Sequence, residues 1–106
     1  GPLLLGLLDP LDKASRSQVV FLRSMAQQFA ASGLRVILVD VSGLSETERT
    51  NLTHNWHLEE IPLQSHLIEI STPATLLFQG GNLQSHWDGL TLPYDLAFAL
   101  QELLYK

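Results

Sequence analysis

Apolar and polar positions along the chain fall into blocks with distinct periods. Leu3 to Leu8 form an unbroken apolar run, the pattern of a strand buried on both faces. Asp9-Pro10 ends it, because proline cannot continue a central ladder. A loop to about Ala14 follows. From Ser15 to Ala31 the period changes to that of a helix. Val19, Leu22, Met25, Ala26 and Phe29 recur at three- and four-residue spacing on one face. Ser15 with Gln18 fits a capping box, and Gly33 sits where a helix ends in a left-handed residue.

Arg35 to Val41 reads as a second buried strand. Strand, helix and strand in this order form a βαβ unit with parallel strands and a right-handed crossover. Ser45 and Glu48 form another capping box, which predicts a shorter helix from about Glu46 to His54. Asn55 to Thr72 mixes apolar and polar residues without a clean period. The expectation there is loop, with a short strand near Ile61 and a helical turn near Leu67. Ala74 to Gln79 reads as a strand, and Gly80-Gly81-Asn82 supplies the positive φ of a tight hairpin. Leu83 to Trp87 then pairs back. A last helix is expected from about Leu92 to Tyr105, with Thr91 as its cap and Pro93 in its first turn. Its apolar stripe is Leu92, Leu96, Leu100 and Leu103.

Composition narrows the function classes. The 106 residues suit one core, and 45% apolar with 16% charged residues is a globular composition. Gly1-Pro2 resembles the scar of a cleaved tag, which leaves residues 3–106 as one expected domain. With no initiator Met, the chain reads as one domain of a longer protein, and no compartment is legible. Six Lys and Arg against eleven Asp and Glu give a net charge of −5. That field disfavours nucleic acid and anionic membrane as partners, and the apolar stretches are short of a membrane span. Fingerprints of nucleotide-binding loops and of the hydrolase nucleophile turn are absent. Above all, the chain has no cysteine. It therefore has no disulfide, no thiolate nucleophile and no cysteine-ligated metal.

Three local features carry a resemblance. Ser71-Thr72-Pro73-Ala74-Thr75-Leu76-Leu77-Phe78 followed by Gly80-Gly81 resembles the thioredoxin-family segment in which a cis-proline precedes a strand and a glycine hairpin. The loop after the first strand leads straight into a long amphipathic helix, where that family carries C-x-x-C. Trp87-Asp88-Gly89 lies where family members often have a glycine before the last helix. The chain resembles the thioredoxin-like superfamily, closest to its TlpA-like and peroxiredoxin-like branch, with the cysteines missing. The resemblance implies an α/β thioredoxin-like fold: a mixed sheet of core order 2-1-3-4, flanked by helices in the sequence βαβ-α-ββα. It sets Asp12-Lys13-Ala14-Ser15 on the C-x-x-C positions, with Asp12 for the nucleophilic and Ser15 for the resolving cysteine. Disulfide exchange needs a thiolate attacking sulfur, which neither a carboxylate nor a hydroxyl replaces.

The leading expectation is a redox-inactive thioredoxin-like module that supports a larger protein or binds a protein or extended peptide. By resemblance, the binding face is the former active-site face: Asp12, Lys13, Ala14, Ser15, Thr72, Pro73 and Gly89. Thr72 and Pro73 would take the peptide by strand addition. No cofactor is expected, and oligomeric state is not legible. Two alternatives stay open. One is a cysteine-replaced or divergent thiol–disulfide oxidoreductase. The other is a non-thiol enzyme or small-ligand binder on the same fold. Asp12 and Ser15 also read simply as helix caps, or as a helix N-terminus that holds an anion. His54 and His57, three apart beside Glu59 and Glu60, are too few for a usual zinc site. His66 and His86 read as surface residues, the Glu59-Glu60 pair as a solvated face, and Trp56 and Trp87 as packing residues.

Overall fold

The leucine run becomes the middle strand of a five-stranded sheet. The computed structural model describes residues 1–62 and 71–105. Its elements are β1 (Pro2–Leu8), α1 (Lys13–Gln28), a 3₁₀ turn (Ala30–Ser32), β2 (Arg35–Asp40), α2 (Glu46–Thr53), β3 (Glu59–Pro62), β4 (Ala74–Gln79), β5 (Asn82–Asp88) and α3 (Pro93–Leu104). The strand order is β3-β2-β1-β4-β5. β1 runs parallel to β2 and antiparallel to β4, so the sheet is mixed. The four expected core strands take the expected order, and the short strand at Ile61 adds an edge beside β2. The expected turn at Leu67 lies outside the described residues.

The α1 side of the sheet is the core. Leu4 and Leu8 of β1 join Val19, Leu22 and Met25 of α1 and Phe29 at its C-cap in one cluster with Leu38, Leu77, Leu96 and Leu100. A fully buried leucine of this kind contributes about 1.5–3 kcal/mol. Trp56 belongs to this cluster and Trp87 packs against it, so both tryptophans are packing residues. Gly6 faces α1 at close quarters: a Cβ there would lie 2.6 Å from Leu22 Cδ1. The other face of β1 differs from expectation. Leu3, Leu5 and Leu7 are half-buried, so the strand alternates where a two-sided burial was expected.

Turn chemistry follows the glycines. Gly80 and Gly81 take φ of 58° and 81°, the left-handed pair that closes a two-residue hairpin between β4 and β5. Gly33, at φ 77°, ends the 3₁₀ turn. Ser45 caps α2 by accepting from Glu48 N at 3.3 Å.

Two expected caps are corrected. Asp12, not Ser15, is the N-cap of α1, so the helix begins two residues earlier than expected. Thr91 does not cap α3; Leu92 holds that position without a side-chain bond, and Pro93 opens the helix. The acidic pair divides. Glu59 is exposed, as expected, and forms a two-bonded ion pair with Arg35 across β2 and β3; Glu60 is corrected, since it is half-buried and meets Arg49 of α2. Arg49 Nε also lies 3.8 Å from the carboxylate of buried Asp40, which accepts from Ser42 N at 2.8 Å and Ser42 Oγ at 2.6 Å.

Candidate functional site

The strand registers gather three loops at one end of the sheet. Leu7 at the end of β1 pairs with Ala74 at the start of β4, and Ala74 pairs with Asp88 at the end of β5. Loops 9–12, 71–73 and 89–92 therefore emerge together, and α1 and α3 start from the same end. All seven expected site residues lie on these loops or on the first turn of α1.

The α1 side of this face is closed by its own hydrogen bonds. The Asp12 carboxylate accepts from Ala14 N and Ser15 N, both at 3.3 Å, and from Ser15 Oγ at 3.0 Å. Ser15 Oγ in turn accepts from Asp9 N at 3.1 Å. Ser15 is fully buried. A carboxylate at a helix N-terminus satisfies orphan amides and meets the positive end of the dipole. This corrects the reading of the turn as an anion site, because Asp12 already supplies the anion. Ser15 Oγ is engaged on both sides, donating to the Asp12 carboxylate and accepting from Asp9 N, and no histidine is among its described partners. Lys13 points to solvent, and Ala14 is half-buried.

The rest of the loop is pinned as firmly. Asp12 N donates to Asp9 O at 2.9 Å, and Leu11 N to Asp9 Oδ1 at 2.9 Å. Arg16 reaches back to Pro10 O at 3.3 Å and Leu11 O at 3.0 Å. With the backbone held from several sides, the Leu11 side chain is left 61% exposed.

Across the face, the Thr72–Pro73 peptide bond is cis. Pro73 is buried and Thr72 half-buried. Pro73 O accepts from Gly89 N at 2.8 Å, and Gly89 has φ 78°, a value that favours glycine. Two residues on, buried Thr91 is held by Gln18 from α1. Between and after these anchors, Leu90 and Leu92 stand exposed, Leu92 at 55%.

Leu11 and Leu90 escaped the sequence reading, and Leu92, expected in the buried stripe of α3, is corrected: it is the exposed N-cap of that helix. Leu11, Leu90 and Leu92 are apolar residues in loops, flanked by Pro, Asp, Gly and Thr. That placement is a signal of surface apolarity that helix and strand periods do not register. The His54 and His57 pair gathers no ligand set: among the described residues no group of three His, Asp or Glu is placed to hold a metal ion. His54 Nδ1 instead lies 2.9 Å from Asn51 O. His66 lies outside the described residues. No helix among the described residues is long and apolar enough to cross a membrane.

The fold is thioredoxin-like. A secreted thiol-disulfide isomerase from Corynebacterium glutamicum superposes with a TM-score of 0.80 at 14% identity, covering 99% of this chain and 71% of that one. The thioredoxin domain of a thiol-disulfide oxidoreductase from Bacteroides vulgatus gives 0.76 at 14% identity, covering 97% and 79%. StoA from Bacillus subtilis gives 0.75 at 10% identity, covering 90% and 78%. By sequence the chain matches no protein-family model and no curated protein. At such identities the likeness carries the architecture. The absence of cysteine, read from the chain itself, excludes the thiol chemistry named in two of those proteins.

Proposed function

We propose that this domain is a redox-inactive thioredoxin-like module that binds an extended segment of a protein partner at the face formed by Asp12, Lys13, Ala14, Ser15, Thr72, Pro73 and Gly89. One observation carries the reading. On this face Asp12, Ser15 and Thr91 are bonded inward, while Lys13 and the apolar Leu11, Leu90 and Leu92 are exposed on hydrogen-bonded loops and the first turn of α1. Apolar side chains on a preorganised rim lose little freedom when a partner covers them, which favours binding. A site for bond-making would instead need an exposed nucleophile or base. Ser15 is buried and its hydroxyl is engaged on both sides.

Thr72 and Pro73 lie at the start of β4, beside the rim, where the backbone of an extended peptide would run. Selection from a displayed random-peptide library, followed by amide-shift mapping of the selected peptides, tests the proposal. The expected shifts fall on residues 11–15, 72 and 89–92, and Leu11→Asp with Leu92→Asp abolishes them. Selected peptides whose shifts avoid this face would overturn it.

A further inference from the structure

A second surface lies away from those loops, between the edge strand β5 and helix α3. A groove of about 270 Å³ has an apolar floor of Leu77, Ala99 and Leu103, with Phe98 and Glu102 on its rim. On the far side of the same two residues a second hollow, of about 360 Å³, extends to Tyr105. Ser85, which borders the first groove, pairs with Leu77, three register positions from Ala74. That is about 10 Å along the strand from the Pro73 loop.

The charged side chains described on this side are acidic. From Ser71 to Tyr105 the sequence has three acidic residues, Asp88, Asp95 and Glu102, and no Lys or Arg, with Lys106 following at the end of the chain. Asp95, Phe98 and Glu102 of α3 and Tyr105 at its C-cap follow one another at spacings of three, four and three, which aligns them in one stripe. Acid and aromatic residues alternate along it, and Phe98 is 57% and Tyr105 66% exposed. The stripe spans about 15 Å, or three helical turns.

We infer that this stripe is the docking surface for an amphipathic basic helix of a protein partner. Its apolar side chains seat beside Phe98 over Leu77, Ala99 and Leu103, and its Lys or Arg side chains meet Asp95 and Glu102. The charge pattern selects the occupant. A second copy docked about a two-fold axis would place acid against acid, since such an interface brings the same patch to itself. Strand addition is disfavoured as well. Leu77 pairs with Ser85 and Phe78 with Leu83, so Gln84 is an extra residue that bulges the outer strand. A helix laid along α3 needs no open ladder and matches its spacing.

The probe is a synthetic helical peptide of about five turns, with leucines on one face flanked by lysines. The control peptide carries glutamates for the lysines. The expected result is saturable binding with amide shifts at Ser85, Phe98 and Glu102. Phe98→Ala and Glu102→Lys each weaken it about tenfold. Glu46→Lys, the same charge change on the exposed start of α2, leaves it within about twofold. Equal effects of Glu102→Lys and Glu46→Lys would reduce the binding to net charge and overturn the proposal. So would shifts confined to residues 11–15 and 89–92, or concentration-dependent self-association lost in Phe98→Ala. Because the mapped residues differ from those of the former active-site face, either proposal can fail alone.

Discussion

Gln18 and Thr91 exchange two hydrogen bonds across the core. Thr91 N donates to Gln18 Oε1 at 2.7 Å, and Gln18 Nε2 donates to Thr91 O at 3.0 Å. The residues are 73 positions apart, and both are buried. A primary amide facing one backbone unit satisfies its donor and its acceptor together, as a strand partner would. The bond fixes loop 89–92 to the middle of α1, and Gly89 N carries the constraint on to Pro73 O. Gln18 is thus a positioning residue for Leu90 and Leu92 of the rim. Gln18→Leu fills similar volume but strands both Thr91 groups. The expected loss of stability is about 2–4 kcal/mol, from two buried backbone groups left without partners. Denaturant unfolding measures it, and hydrogen exchange is expected to quicken at Gly89 and Thr91 before the rest of the sheet.

Gly6 sets how closely α1 lies on the sheet. A methyl group there would stand 2.6 Å from Leu22 Cδ1, and Leu22 is fully buried. Gly6→Ala is expected to cost about 1–3 kcal/mol by overpacking. Gly6→Ala with Leu22→Ala should be less destabilised than the sum of the two single variants, because the second change removes the clash. A double-mutant cycle reads that coupling, and simple additivity would show that the contact is not felt.

The limits of the sequence reading follow from the range of each interaction. β1 and β2 were legible as unbroken apolar runs, β4 and β5 as strands about a glycine hairpin, and α1 and α3 from an apolar period of 3.6 residues. Of the two caps read for α1, Asp12 holds and Ser15 does not: Ser15 and Gln18 fit a local capping signature, but Asp12 takes the first-turn amides from upstream. Gln18 was free to fit that signature only on paper, since its side chain is taken by Thr91. Thr91 likewise turns its hydroxyl to Gly89 O at 3.3 Å instead of capping α3. The pairing of Glu59 and the partial burial of Glu60 were not legible because their cationic partners, Arg35 and Arg49, come from other elements. The candidate face was legible as loops by resemblance. Its apolar rim was not, because exposure at Leu11 and Leu92 depends on how the loops are tied.

The Arg35–Glu59 pair predicts a pH signature. Arg35 Nε donates to Glu59 Oε2 at 3.0 Å, beside a second bond from the guanidinium. These hydrogen bonds, with the guanidinium charge, hold the Glu59 carboxyl below its ordinary range and raise Arg35. A lowered carboxyl gives stability that is full above the unfolded-state titration and lost as pH falls through the folded one. Any contribution therefore disappears on the acid side of the usual carboxylate range, about pH 4 and below. Both side chains are well exposed, so solvent screens the pair and neutral-pH stability should hardly change on its removal. Carbon-detected titration should place Glu59 below the ordinary carboxylate midpoint in the parent and return it upward in Arg35→Gln. An unchanged midpoint would mean that the pair is not formed in solution.

Restoring cysteines tests whether only the thiols are missing from the scaffold. Asp12 and Ser15 stand three apart at the first turn of α1, where Cα atoms lie about 5 Å from each other, within disulfide range. In Asp12→Cys with Ser15→Cys, oxidised glutathione is expected to close a disulfide between positions 12 and 15. Two glutathione thiols are released for each bond formed. The thiol at 12 would sit at a helix N-terminus relieved of its internal carboxylate. Its pKa is therefore expected below the ordinary value of about 8.5. The change also deprives Asp9 N and the first-turn amides of their oxygen acceptors. A stability loss of about 1–3 kcal/mol should accompany it. Thiol counting before and after oxidation reads the bond, and absorbance of the thiolate against pH reads the titration. A folded double variant that keeps both thiols free under oxidised glutathione would show that the turn has lost the geometry for exchange as well as its cysteines.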